Sequence, residues 1–237
     1  MQRTSLALPI SVIIAGVIIA GAVYLTRTSG PPNPAVNTPP ASTNITVRPV
    51  DATDHILGNP NAEIVIIEYS DTECPFCKNF HETMHQVMDT YGKDGKVAWV
   101  YRHFPIYKGE RALHPKAGKQ AEATECAAEL AGADGFWKYI DRLYKITPSN
   151  NQLSESELPE IAVYVGIDRA AFTACLSSGK YADAISKAYD EAVLAGANGT
   201  PYSVIITKDN PPLPITGGAL PYTAMKTIID SILSGAR

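Results

Sequence analysis

The sequence predicts an α/β fold: a mixed sheet flanked by helices and interrupted by a long helical insertion, behind an N-terminal transmembrane helix. Three observations carry that expectation. The β-branched run Ile64-Val65-Ile66-Ile67 is followed by a helical pattern and then by a second strand-like run, Val97 to His103. Residues 111–197 are Ala-rich with helical periodicity, and two further strand-like runs come after them. Residues 6–25, LALPISVIIAGVIIAGAVYL, carry no charge.

Composition narrows the function classes. The 237 residues are 45% hydrophobic and 19% charged, which excludes a disordered chain. Twenty Lys+Arg against 24 Asp+Glu give a net charge of -4. With no basic run, the chain lacks the clustered cations that grip a nucleic-acid backbone. Four Cys are too few for a disulfide scaffold and point to chemistry or to a staple.

In chain order, residues 1–27 hold the apolar stretch, long enough as a helix to cross about 30 Å of hydrocarbon. An uncleaved anchor is expected. The rival reading is a signal peptide cut near Ala20-Gly21-Ala22, and in either case the rest of the chain is exported. Residues 28–46 are rich in Pro, Thr, Ser and Asn and read as an extended spacer. Residues 47–237 form the head. Its first strand, Ile64 to Ile67 and its neighbours, is apolar on both faces, as a central strand must be. Ser70-Asp71-Thr72-Glu73 then supplies turn and N-cap residues. Cys74-Pro75-Phe76-Cys77 opens a helix reaching about Tyr91, with Phe80, Met84, Val87 and Met88 on one face. Pro75 suits the first turn, where its missing N–H leaves nothing unpaired. The helical block breaks at Gly132, Thr147–Asn150, Gly166 and Gly179, and Ser154 and Asp168 look like N-caps. A third strand, Tyr202 to Thr207, a short strand near Ile215–Gly217 and a helix from Tyr222 to Leu233 complete the order.

Cys74-Pro75-Phe76-Cys77 is the most informative tetrapeptide. Thiols at i and i+3 on a first helical turn can close a disulfide with little motion. Cys74 faces unpaired backbone N–H groups and the positive end of the helix dipole, which favour its thiolate. A dithiol whose reduced form is stabilised makes an oxidising disulfide. Cys77, one turn further in, is expected to be buried and to act as the resolving thiol. Zinc sites use the same spacing, so the motif alone is ambiguous. Cys77, His81 and His85 span two further turns, about 12 Å of rise, too far to share one ion. No metal is expected, and His81 and His85 read as polar surface residues. His103 reads as a satisfied structural histidine.

The stretch GNPNAEIVIIEYSDTECPFCKNF resembles the active-site region of the DsbA-like thiol–disulfide oxidoreductases of the thioredoxin superfamily. VAWVYRHFPI, AAELAGADGFWKYIDRLY and GTPYSVIITKDNPPLPITGG are similar to later family segments. The resemblance implies a thioredoxin-like fold for residues 47–237, with its helical insertion at about 108–197. It implies catalysis by Cys74 and Cys77, with Glu68 beneath them assisting proton transfer; read by itself, Glu68 is a strand-end acid. It implies that Thr200-Pro201 is a cis-proline loop that, with Pro75 and Phe76, contacts substrate polypeptide; read alone, it is an ordinary loop proline. Phe76 departs from the His of the best-known oxidases and leaves the oxidising strength open. Cys126 and Cys175 correspond to a pair that some relatives bridge, the alternative being two buried free thiols.

The activity so implied is oxidation of reduced exported polypeptides, with no cofactor beyond the Cys74–Cys77 disulfide and a quinone-linked membrane oxidase restoring it. A reductase or isomerase, or a metal-binding module, would use the same parts.

Overall fold

The computed structural model describes residues 45–109 and 112–235. The expected anchor at 1–27 and all but the last two residues of the spacer at 28–46 lie outside the described residues. No helix among the described residues is long and apolar enough to cross a membrane.

The head contains β1 (His55–Gly58), β2 (Ile64–Ser70), α1 (Pro75–Val87), β3 (Val97–His103), α2 (Ala117–Ile146), α3 (Glu157–Tyr164), α4 (Arg169–Ser178), α5 (Ala182–Leu194), β4 (Tyr202–Ile206), β5 (Leu213–Ile215) and α6 (Tyr222–Leu233). The sheet order is β1-β3-β2-β4-β5. β2 and β3 run parallel, with Ile66 opposite Trp99, and every other pairing is antiparallel. This is the thioredoxin-like arrangement with a helical insertion between β3 and β4.

β2 and β3 are central and covered on both faces, which explains their nearly unbroken apolar sequences. On one face, Phe80 and Met84 of α1, Phe136 of α2 and Met225 and Ile229 of α6 pack with Trp99 and Tyr101. On the other face, Ile67, Val100 and Val204 pack with Ala192 of α5 and with Ala195 and Ala197 just after it. The insertion has its own core, including Tyr139, Leu143, Leu158, Ile161 and Phe172.

Three local readings are corrected. β1 was not assigned from sequence: it is four residues long and is a strand only because β3 supplies its hydrogen-bonding partner. The last strand lies at Leu213–Ile215, slightly before the expected position, and Gly217 (φ 105°) and Gly218 (φ 64°) form the turn after it. Pro214 is tolerated because β5 is an edge. Ser154 does not cap a helix; its carbonyl accepts the Glu157 N–H (3.0 Å) while Ser156 holds the N-cap position. Asp168 does cap α4, accepting the Ala171 N–H at 2.8 Å. The break at Gly132 is a kink within α2, with φ 67° and ψ -163°, a conformation open essentially only to glycine.

Cys126 of α2 and Cys175 of α4 form a disulfide inside the insertion core. They are 49 positions apart, so the chain-entropy model gives the bridge about 4 kcal/mol of stabilisation. A Cys126→Ala/Cys175→Ala double variant should lose about that much in urea unfolding. A loss below about 1 kcal/mol would show that the unfolded chain is not restrained by this closure.

Candidate active site: the Cys74–Cys77 dithiol

β2 ends at Ser70, and a three-residue turn leads into α1, with Cys74 at its N-cap and Pro75 in its first turn. Asp71 organises that turn. Its Oδ1 accepts the Glu73 N–H (2.8 Å), and its Oδ2 accepts the Ile106 N–H (2.7 Å) and lies 2.9 Å from His114 Nδ1. Its carbonyl accepts the Cys74 N–H at 3.1 Å. Glu73 is buried too. Its carboxylate takes the Gln120 side-chain amide and the Asn151 N–H, and its carbonyl accepts the Asn150 N–H at 2.8 Å. The entry to α1 is therefore anchored from the β3–α2 loop, from α2 and from the loop after α2.

Cys74 and Cys77 are both free thiols in this structure. Cys77 is fully buried and Cys74 is 5% exposed, so only the latter has a path to solvent. The Cys74 Sγ lies 3.4 Å from the Thr200 carbonyl oxygen, and the Asp71 N–H donates to the Cys77 Sγ at 3.4 Å. Thr200–Pro201 is a cis peptide bond, with Pro201 buried. The structure thus brings Cys74, Cys77, Thr200 and Pro201 together. Phe76, between the cysteines, is 62% exposed, and Pro75 is half-buried beside it.

The two thiols are driven apart in acidity. A hydrogen bond from the Cys77 thiol, with help from Thr200 and the Phe76 and Cys77 N–H groups, brings the Cys74 pKa down to about 6. Burial pushes the Cys77 thiol well up, and the Cys74 thiolate, Glu68 and Asp71 add to the effect. At neutral pH the dithiol is therefore one thiolate and one thiol, with the thiolate on the accessible sulfur.

Glu68 is fully buried on β2, opposite Tyr101 of β3 and Ser203 of β4, so the reading of it as a strand-end surface acid does not hold. Its Oε2 accepts the Trp99 indole N–H at 3.0 Å, while its Oε1 has no partner. Burial raises its pKa to about 7, where a carboxyl can take or give a proton near neutrality. Its charge acts on both thiols.

Sequence reasoning missed His114. Its hydrogen bond to Asp71 raises its pKa, and the Cys74 thiolate also favours its charged form. His114 lies 40 residues from Cys74 with no motif around it, so only tertiary packing reveals it.

His81, expected on the solvent face of α1, is 3% exposed. α2 covers it: Asp141 Oδ1 is 2.8 Å from its Nε2, and the Tyr144 ring centroid is 4.6 Å away. His103 is buried and satisfied by Glu125 (3.0 Å) and Thr124 (3.2 Å). Among the described residues, no third His, Cys, Asp or Glu gathers with Cys74 and Cys77 into a metal-ligand group.

The thioredoxin family model matches residues 51–230, the greater part of the chain. The chain belongs to the thioredoxin family. Within it, the fold is that of the DsbA proteins. Pseudomonas aeruginosa DsbA2 superposes with a TM-score of 0.63 at 27% identity, covering 78% of this chain and 97% of that one. Oxidised BdbD from Bacillus subtilis superposes with a TM-score of 0.67 at 20% identity over 81% and 98% of the two chains, a likeness of fold. This thioredoxin-family chain thus has the DsbA-like fold, and the dithiol described above is a pair chemically suited to thiol–disulfide exchange.

Its sequence also matches part of a Na(+)/H(+) antiporter, NhaA 1 of Mycobacterium sp. (strain KMS), at 38% identity over 136 residues, 56% of this chain and 20% of the antiporter. The chain spans about a fifth to a quarter of the length of the curated relatives it matches. Ion exchange is the activity named for those longer proteins.

Proposed function

We propose that this thioredoxin-family chain is an extracytoplasmic oxidase that gives its Cys74–Cys77 disulfide to reduced exported polypeptides. A substrate thiolate attacks the Cys74 Sγ; the Cys74–Cys77 bond breaks, and Cys77 leaves as a thiolate that takes the Glu68 proton. A second substrate thiolate then attacks the substrate sulfur of the mixed disulfide, and Cys74 leaves as a thiolate. The substrate dithiol has become a disulfide and the enzyme disulfide a dithiol, two electrons having passed between them. Thr200 and Pro201 would align substrate backbone beside Cys74, with Pro75 and exposed Phe76 offering apolar contact. No cofactor takes part in these steps. A quinone-linked membrane oxidase is the proposed electron acceptor that restores the disulfide, with the head held at the membrane by residues 1–27. The buried Cys126–Cys175 bridge supports residence in an oxidising compartment.

The observation that carries the oxidase reading is the Cys74 thiolate, stabilised to a pKa of about 6 beside a Cys77 thiol held protonated. Stabilising the reduced form makes the disulfide oxidising. Equilibration with glutathione buffers, read by trapping the free thiols, should give a potential above about -200 mV. A value near -270 mV, that of a thioredoxin, would overturn the oxidase reading in favour of a reductase.

A further inference from the structure

Beyond the dithiol, α1 carries a second constellation. His81-Glu82-Thr83-Met84-His85 spells HExxH, a spacing that places two imidazoles on one helix face for a single zinc ion. Cys77 lies too far from His85 to share an ion with it, but His81 and His85 by themselves are one turn apart. α2 brings a third donor. The His81 and His85 Nε2 atoms are 3.2 Å apart, and each lies 2.8 Å from the same oxygen, Asp141 Oδ1.

Three donor atoms this close can all sit about 2.0–2.1 Å from one ion, the bond length zinc makes to His and carboxylate ligands. Without an ion the cluster is crowded. If both Nε2 atoms donate to Asp141, their hydrogens converge on one oxygen. If one nitrogen is unprotonated, it faces the carboxylate with a lone pair. The His81 Nδ1 is sealed from solvent and unpartnered, so all polar contacts of this ring pass through Nε2. Two imidazoles and one carboxylate form the donor set of an open zinc site, which keeps a fourth position for an outside ligand. Here that position has room: the cluster lines an open cleft with Glu82, Arg142, Lys145 and Tyr164.

A second group, His55, His103 and Glu125, also has its donor atoms within 4.8 Å of one another. It is the weaker candidate, because its members are otherwise engaged. His55 stacks on Phe136 with centroids 3.5 Å apart, and His103 also bonds Thr124.

We propose that His81 Nε2, His85 Nε2 and the Asp141 carboxylate bind one zinc ion, with its fourth position open to the cleft. This site is separate from the dithiol and does not depend on the oxidase reading. The missing partner for His81 Nδ1 leaves its ring less fixed than in most zinc sites, so an affinity in the micromolar range is expected.

The test is a Zn²⁺ titration of the full-length chain in mild detergent. The protein is stripped with chelator and kept with Cys74–Cys77 oxidised, so that neither thiol can bind metal. Competition with a chromophoric chelator should show one equivalent bound. Affinity should fall at least tenfold in His85→Ala and in Asp141→Asn, both on partly exposed side chains, and stay unchanged in Glu125→Gln. Circular dichroism should show both affected variants folded. Co²⁺ should give visible bands of a four-coordinate site without thiolate charge transfer. Three results would overturn the proposal: no binding at 100 micromolar Zn²⁺, binding lost only in Glu125→Gln, or binding that persists unchanged in folded His85→Ala and Asp141→Asn.

Discussion

Replacing Cys74 with serine is expected to lower the rate of oxidation of a reduced, unfolded substrate at least a thousandfold. A serine cannot form the disulfide that is exchanged, and the remaining thiol, Cys77, is fully buried with its pKa raised well above that of an ordinary thiol. It is neither reachable nor ionised at neutral pH. The companion variant, Cys77→Ser, should behave differently. Its accessible, low-pKa Cys74 can attack a disulfide of an oxidised substrate, displacing one substrate sulfur as a thiolate; with no Cys77 thiol to attack Cys74 in turn, that mixed disulfide should survive non-reducing electrophoresis. The readout is the recovery of activity of a reduced, disulfide-requiring reporter enzyme. If Cys74→Ser left that recovery unchanged, the assignment of Cys74 as the exchanging sulfur would be wrong.

Glu68→Gln should have the second large effect, and it acts in opposite directions on stability and on turnover. Burial lifts the Glu68 carboxyl to about 7 in the folded protein against 4.5 for an unperturbed group. Folding therefore takes up a proton between those values, and the Glu68 contribution to stability is fully present below about 4.5 and is lost as pH rises through 7. A neutral glutamine escapes that loss. In urea unfolding of the oxidised protein, where the active-site thiols do not titrate, the variant should be about 3 kcal/mol more stable than wild type at pH 8. At pH 4 the two should be nearly equal. Glutamine can still accept the Trp99 indole N–H, so the packing of β2 against β3 is kept. Exchange should move the other way. Without a group to carry the Cys77 proton, turnover should fall about a hundredfold, and the pH–rate profile should lose its limb near pH 7. Equal stability of the two proteins at pH 8 would show that burial does not raise the Glu68 pKa. A turnover unchanged by the substitution would remove it from proton transfer.

These two effects rest on features of different visibility in the sequence. The CxxC after an apolar run and before a helical pattern was plain in one dimension, because its spacing, its flanking turn and Pro75 are all local. So were α1, β2, β3 and α6, whose boundaries follow hydrophobic periodicity and capping chemistry. β1 was not, since four residues hold a strand conformation only when a neighbouring strand completes their hydrogen bonds. Glu68 was placed by family resemblance, but its burial, and with it the raised pKa, arises from β3, β4 and the helices closing over β2.

His81 shows the converse error. On α1 alone it reads as exposed; α2 supplies Asp141 and Tyr144 from about sixty residues away and buries it. His114 likewise reaches the redox centre only through Asp71.

Read by itself, then, the chain of residues specified the kinds of elements and the reactive pair, because both depend on neighbours within one or two helical turns. The burial that raises the Glu68 pKa, the approach of His114 to Asp71 and the His81–His85–Asp141 cluster came from folding. Each depends on burial and on contacts between segments far apart in sequence, and desolvation and Coulomb forces act over distances that only the packed chain defines.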